Sequence, residues 1–197
     1  MLSCIILSAG LSARFGKPKA LAKIQGETTV IEYLQTLLLH TSIDEIIIVL
    51  GSEAEHIKPY LSDHKKIKNV YNQNYLLGQT SPFKIGLGAI HPKSEAVMLL
   101  PVDYPAVQQM TIEKLINCFL ENKPILLIPT FENHKGHPPI FSTHLKNEFL
   151  NLDNDRGLNT IIHRYQAQAF LLPVKDPGVI ESFNTHEEFE KIKAKIN

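Results

Sequence analysis

Three cations follow the first apolar run of the chain, and no acid stands among them. The stretch CIILSAGLSARFGKPKAL, residues 4–21, passes from a strand-like run into Ala9 and Gly10, then into Arg14, Gly16, Lys17 and Lys19. Small residues at a strand end let backbone approach a ligand closely, and Gly10 can take a positive φ at little cost. Successive N–H groups in such a turn form an anion-binding nest. A guanidinium forks onto phosphate oxygens, and an ammonium adds a point charge. Arg14 and Lys19 could therefore neutralise a polyphosphate. On charge alone, a solvated basic loop with a glycine turn competes evenly with that reading.

Two familiar phosphate loops are excluded. The dinucleotide fingerprint G-x-G-x-x-G fails because Ser12 and Phe15 stand where glycines are needed. The P-loop G-x-x-x-x-G-K-[ST] fails as well. Five residues separate Gly10 from Gly16, and Pro18 follows Lys17, so the metal-binding hydroxyl is missing.

The loop's charge is local, because the whole chain is balanced. It has 197 residues, 44% hydrophobic, with 20 cationic and 20 anionic side chains. That balance argues against a dedicated nucleic-acid or membrane-surface protein. The length suits a single domain, residues 1–197. The two cysteines, Cys4 and Cys118, lack metal-ligand spacing and are expected to be buried free thiols, which fits a reducing compartment. No apolar stretch approaches the roughly 20 residues of a membrane helix. A soluble cytoplasmic protein is expected.

Elements that would position the loop are legible along the chain. LSCIILS, EIIIVLG, IKNVYN, AVMLLPVD and PILLIPTF read as strands, continuously apolar for the most part, as in sheets covered on both faces. Helical patterns alternate with them: TTVIEYLQTLLLH with a Thr29–Glu32 capping box, SEAEHIKPYL, SPFKIGLGAIH with Pro82 in its first turn, and TIEKLINCFLEN. The remainder is less regular, with PPIFST, short helices near HLKNEFL and GLNTIIHRY, then AQAFLLPV. A last helix carries a Thr185–Glu188 capping box. Alternation of this kind predicts an α/β domain with a mostly parallel sheet. Ligands in such sheets sit at the carboxyl ends of the strands.

The pattern L-x-A-G-x-S-x-R-x-G-x-x-K, filled by Leu7, Ala9, Gly10, Ser12, Arg14, Gly16 and Lys19, resembles the signature loop of the molybdenum-cofactor nucleotidyltransferases. The resemblance spans nearly the whole chain and implies a three-layer, Rossmann-like nucleotide-diphospho-sugar transferase fold with a mostly parallel mixed sheet. It implies that Leu7, Ser8, Ala9, Gly10 and Ser12 line the nucleotide site. Arg14 and Lys19 would hold the triphosphate and take part in catalysis. Asp103, in LLPVDYP, matches an aspartate that binds Mg²⁺, and a hard dication does prefer a carboxylate with phosphate oxygens and water. Residues 78–87, GQTSPFKIGL, look like the segment that reads the base and borders the triphosphate, through Gly78, Thr80, Ser81 and Lys84, the last standing where arginine is usual.

Further segments extend the likeness. In HKGHPPIFS, Gly136, His137 and Pro138 match a segment near the acceptor in the cytidylyltransferase branch. In NDRGLNTII, Asp155 and Gly157 match an acceptor-binding segment, while Asn154 replaces glycine and Asn159 replaces arginine. In VIESFNTHEEF, Asn184 stands in place of a second metal-ligand aspartate. The implied activity is Mg²⁺-dependent transfer of a nucleotidyl group, CMP from CTP, to a phosphorylated acceptor, with pyrophosphate released. The implied acceptor is molybdopterin cofactor, and a molybdoenzyme would receive the product; neither nucleic acid nor membrane is expected as a partner. A sugar, polyol or choline phosphate acceptor, and a non-catalytic nucleotide- or cofactor-binding accessory role, are the alternatives.

Overall fold

Alternate residues of the central strands point into two separate cores. Cys4 and Ile6, Ile46 and Ile48, Met98 and Leu100 enter one cluster; Ile5, Ile47, Val49, Val97 and Leu99 enter the other. Such strands must be apolar on both faces, which is why the sequence shows unbroken hydrophobic runs there. The computed structural model describes residues 1–78 and 80–196.

In chain order the elements are β1 (Leu2–Ser8), β2 (Lys23–Gln25), β3 (Thr28–Thr29), α1 (Val30–Leu39), β4 (Glu45–Leu50), α2 (Ala54–Ile57) and β5 (Ile67–Tyr71). There follow α3 (Thr80–Ala89), β6 (Ala96–Pro101), α4 (Gln109–Asn122), β7 (Leu126–Phe131), β8 (His134–Lys135) and β9 (Ile140–Ser142). The chain ends through α5 (Lys146–Leu150), α6 (Asn159–Arg164), β10 (Ala169–Pro173) and α7 (His186–Ile196). Helices α1, α2, α4 and α7 cover one face of the sheet, and α3, α5 and α6 the other.

The sheet has the order β10-β7-β9-β6-β1-β4-β5, with β8 paired to β7. Pairs β1–β4, β1–β6, β4–β5 and β7–β10 are parallel, whereas β9 runs antiparallel to β6 and β7. This is the mostly parallel mixed sheet, covered on both faces, that the sequence predicts.

Both expected capping boxes form. The Glu32 N–H donates to Thr29 Oγ1 at 3.4 Å, and the Thr29 N–H donates to Glu32 Oε2 at 2.8 Å. At the start of α7, the Glu188 N–H donates to Thr185 Oγ1 and the Thr185 N–H to Glu188 Oε2.

Three expectations need correction. The hairpin β2–β3 was not anticipated, because its strands are too short and polar to show a pattern; Gly26, at φ 55°, makes its turn and Ile24 buries into the core. Cys4 is fully buried, and burial pushes its thiol far above the ordinary range, but Cys118 is only partly buried. The helix expected at SPFKIGLGAIH begins one residue earlier, at Thr80, whose hydroxyl donates to the Arg156 carbonyl.

The loop after β1 leaves the sheet at a change of direction. From β1 it moves to β4 and β5 on one side, then returns to β6 on the other. Crevices form at such switch points, outside the carboxyl ends of the strands. Leu7 of β1 pairs with Pro101 of β6, so the loops after these two strands leave side by side.

Candidate active site

The loop after β1 is folded by its own backbone. Ser12 adopts φ 50° and Gly16 φ 76°, and the N–H groups of Phe15 and Gly16 both donate to the Ser12 carbonyl. The left-handed positions are therefore Ser12 and Gly16. Gly10, free to take a positive φ, does not do so; it is exposed, with open space where a Cβ would sit. The close approach belongs to Gly51 instead, where a Cβ would sit 2.4 Å from the Ala9 carbonyl oxygen. Ser12 Oγ accepts from the Lys19 N–H at 3.2 Å, closing the loop onto the short helical turn Lys19–Leu21. Leu7 is half-buried, Ala9 is buried, and the Ser8 hydroxyl is buried without a partner at the end of the strand.

Phe15 anchors this loop. It is 1% exposed, at ring distances of 5.2 Å from Phe183, 5.6 Å from Phe189 and 4.3 Å from His186. The aromatic cluster fastens the loop to the segment entering α7, and that docking carries Arg14 to Asn184. Sequence reasoning missed Phe15; the available signal was a lone aromatic within a polar loop.

Four predicted residues converge here. Lys19 Nζ donates to Asp103 Oδ2 at 2.8 Å and to Asn184 Oδ1 at 2.9 Å. Arg14 Nη2 donates to the same Asn184 Oδ1 at 2.9 Å. The Lys19 ammonium also lies 5.4 Å from the Phe183 ring centre, a cation–π contact. One of the loop's unbalanced cations, Lys19, thus meets an acid within the chain, the Asp103 that the family resemblance assigns to a metal ion. The carboxylate arrives from 84 residues away, through the β1–β6 pairing.

Gly136, His137 and Pro138, expected near the acceptor, lie beside this cluster. The Asp103 carbonyl accepts from the Phe183 N–H at 3.1 Å. Its neighbour Tyr104 packs on the His137 ring at 4.4 Å. Gly136 passes so close to the Val179 carbonyl that a Cβ would approach it to 2.3 Å, and the His137 N–H donates to that same carbonyl at 2.7 Å. His137 precedes a cis peptide bond to Pro138, and its Nδ1 is buried without a partner. Burial pushes the imidazole pKa below its ordinary 6.5, partly opposed by the Asp103 charge.

The other predicted group gathers at the start of α3. Gly78 takes φ 85°, and Gln79 of the same loop lies outside the described residues. Thr80 Oγ1 donates to the Arg156 carbonyl at 2.5 Å, and Lys84 Nζ to the Leu152 carbonyl at 2.9 Å and Asn154 Oδ1 at 3.4 Å. The Lys84 ammonium therefore holds the loop that carries Asp155, rather than joining Arg14 and Lys19. Asp155 is exposed in that loop. Ser81 Oγ donates to Asn72 Oδ1 at 3.0 Å, and the Asn74 N–H donates to the same oxygen at 3.1 Å. Two donors on that oxygen fix the amide's orientation, and the buried Asn72 Nδ2 is left without a partner. Asn72 also escaped the sequence reading; an asparagine just after an edge strand looks like a turn.

Comparison with known proteins shows the family to which the chain belongs. Nicotine blue oxidoreductase from Paenarthrobacter nicotinovorans is 24% identical over 95% of this chain and 94% of its own. Rv0371c from Mycobacterium tuberculosis H37Rv superposes with a TM-score of 0.84 at 22% identity, covering 98% of each chain. In its complex with manganese it does so at 0.79 and 21%, again covering 98% of each. The 4-diphosphocytidyl-2C-methyl-D-erythritol synthase from Anaerococcus prevotii superposes at 0.76 with 19% identity, over 100% of this chain and 96% of its own. Residues 4–169 match the MobA-like NTP transferase domain, so this chain, with its cationic loop and aspartate across the β1–β6 crevice, belongs to that nucleotidyltransferase family.

Proposed function

We propose that this protein transfers a cytidylyl group from CTP to a molybdopterin-type phosphate with the help of Mg²⁺. An acceptor phosphate oxygen attacks the α-phosphorus. The bond from that phosphorus to the oxygen bridging to the β-phosphorus breaks, and pyrophosphate leaves. The observation that carries this reading is the convergence of Arg14, Lys19, Asp103 and Asn184 at the carboxyl ends of β1 and β6. It joins two cations suited to a leaving pyrophosphate with two oxygen donors suited to a hard ion.

The donor set fits the dication. Asp103 and Asn184 offer only oxygen, and Mg²⁺ is held by one or two carboxylates together with substrate phosphates and water. Among the described residues, no group of three or more His, Cys, Asp or Glu side chains could hold an ion alone, so nucleotide oxygens would complete the shell. When bound, the ion withdraws negative charge from the phosphates. The protein's own residues do the rest by position. Arg14 and Lys19 neutralise charge on the departing pyrophosphate, in a reaction that asks for little covalent chemistry from side chains. Leu7 to Gly10, Ser12, Gly78, Thr80 and Ser81 line the nucleotide, and Gly136, His137, Pro138 and Asp155 border the acceptor. The manganese complex of the mycobacterial relative supports a metal, and the activity named for the Anaerococcus enzyme supports CTP.

A second reading keeps the donor and changes the acceptor to a sugar or polyol phosphate. Asn159, at the start of α6 where the family pattern has arginine, favours it. Pyrophosphate release, measured for each nucleoside triphosphate with Mg²⁺ across a panel of phosphorylated acceptors, separates the two. Turnover with CTP and molybdopterin alone upholds the first reading. Tight nucleotide binding with no turnover on any acceptor would replace both with an accessory role.

A further inference from the structure

Two of the three side-chain oxygens of Asp103 and Asn184 already accept from the protein's own cations. Asn184 Oδ1 accepts from Arg14 Nη2 and from Lys19 Nζ, each at 2.9 Å, and an amide oxygen has two lone pairs. Asp103 Oδ2 accepts from the same ammonium at 2.8 Å. Lys19 itself is well satisfied. Two of its three donors are spent on these oxygens, it lies against the Phe183 ring, and its side chain is 12% exposed. Its backbone N–H is tied to Ser12 Oγ, so the start of the side chain is fixed and only the flexible stem can swing.

We propose that Lys19 serves as the resident cation of the metal position in the free protein, and that a divalent ion enters only together with the polyphosphate that draws Lys19 away. This rests on the assignment of Asp103 as a metal ligand. A dication that takes both side chains without nucleotide must displace an ammonium that already has two oxygen acceptors, and it meets the Arg14 guanidinium on the same amide. A triphosphate reverses that balance. It offers new acceptors to both cations and frees the Asp103 and Asn184 oxygens. Metal and nucleotide then help each other bind, and the coupling is reciprocal by linkage. In the free protein Lys19 neutralises the Asp103 carboxylate and keeps the site ordered without a metal.

Binding of Mn²⁺, followed by the electron paramagnetic resonance signal of the free ion, tests this without any turnover. Wild type, Lys19→Met, Arg14→Met and Asp103→Asn are titrated alone and with the α,β-methylene analogue of CTP, with thermal melts to confirm folding. Lys19→Gln serves if the methionine variant does not fold. Without nucleotide, Lys19→Met should bind Mn²⁺ about 10-fold more tightly than wild type, the size of shift expected when a competing state is removed. Arg14→Met, which removes an equal charge from Asn184 only, should gain less than about 3-fold by the same reasoning. With the analogue present, the advantage of Lys19→Met should vanish. Equal affinity of wild type and Lys19→Met without nucleotide, or equal gains for Lys19→Met and Arg14→Met, would overturn the proposal. Undiminished binding by Asp103→Asn would instead remove the metal assignment beneath it.

Discussion

Two walls of the crevice use cations in opposite ways. On the β1–β6 side, Lys19 and Arg14 converge on the side-chain oxygens of Asp103 and Asn184, contributed by two distant segments. On the α3 side, Lys84 spends its ammonium on the Leu152 backbone carbonyl, and Thr80 spends its hydroxyl on the Arg156 carbonyl. Side-chain oxygens can be vacated or shared with a metal. A backbone carbonyl near a helix end gains most from a permanent partner. The difference separates cations that can exchange partners during a reaction from a cation that fastens a loop, although all three belong to motif segments.

The comparison can be broken most directly at its charged wall. Asp103→Ala and Lys19→Ala should each lower kcat by about 10²–10³, the range seen when one preorganised electrostatic contact is removed, while the fold persists. Near-wild-type steady-state rates in both variants would show that this wall is not where the chemistry occurs. Phe15→Ala should cost about 3 kcal/mol of stability, as for a buried aromatic cut to a methyl, and should lower activity by freeing Arg14 from Asn184. Chemical denaturation with an unchanged midpoint would count against Phe15 as the anchor.

Smaller effects sharpen the other wall. Lys84→Met should lose about 1 kcal/mol, the scale of one hydrogen bond, and leave kcat and the KM for nucleotide within a few-fold of wild type. A large rise in KM would return Lys84 to the triphosphate. The smallest effect concerns His137, whose folded pKa lies below 6.5 because burial disfavours its charged form. A depressed base binds fewer protons folded than unfolded, so its contribution is intact above pH 6.5 and is lost as the pH falls towards the folded value. Urea midpoints of wild type should therefore decline more steeply below pH 6.5 than those of His137→Phe. Parallel profiles would mean that the ring titrates normally.

Much of the frame could be read in advance, because it depends on local patterns. Unbroken apolar runs marked the central strands, Thr-x-x-Glu marked the starts of α1 and α7, and the spacing from Leu7 to Lys19 marked the loop. The hairpin β2–β3 escaped because three half-polar residues carry no period. The bonds of Lys84 to Leu152 and Asn154 were not legible because a side chain's spacing along a helix does not reveal which loop will fold over it. Phe15 and Asn72 went unseen because their partners lie far along the chain or in irregular segments.

The sequence alone determined the alternating elements, the family pattern and the identity of the groups that could handle phosphate. Those depend on residue type and short spacing. Only the tertiary structure decided which groups meet. Arg14 and Asn184 are 170 residues apart, and Lys19 and Asp103 are 84 apart. Parallel pairing of β1 with β6 and the packing of Phe15 on Phe183 bring them within hydrogen-bonding distance. Electrostatic partnership falls off over a few ångströms, and separation along a chain says nothing about those ångströms until the sheet and its aromatic anchor are in place.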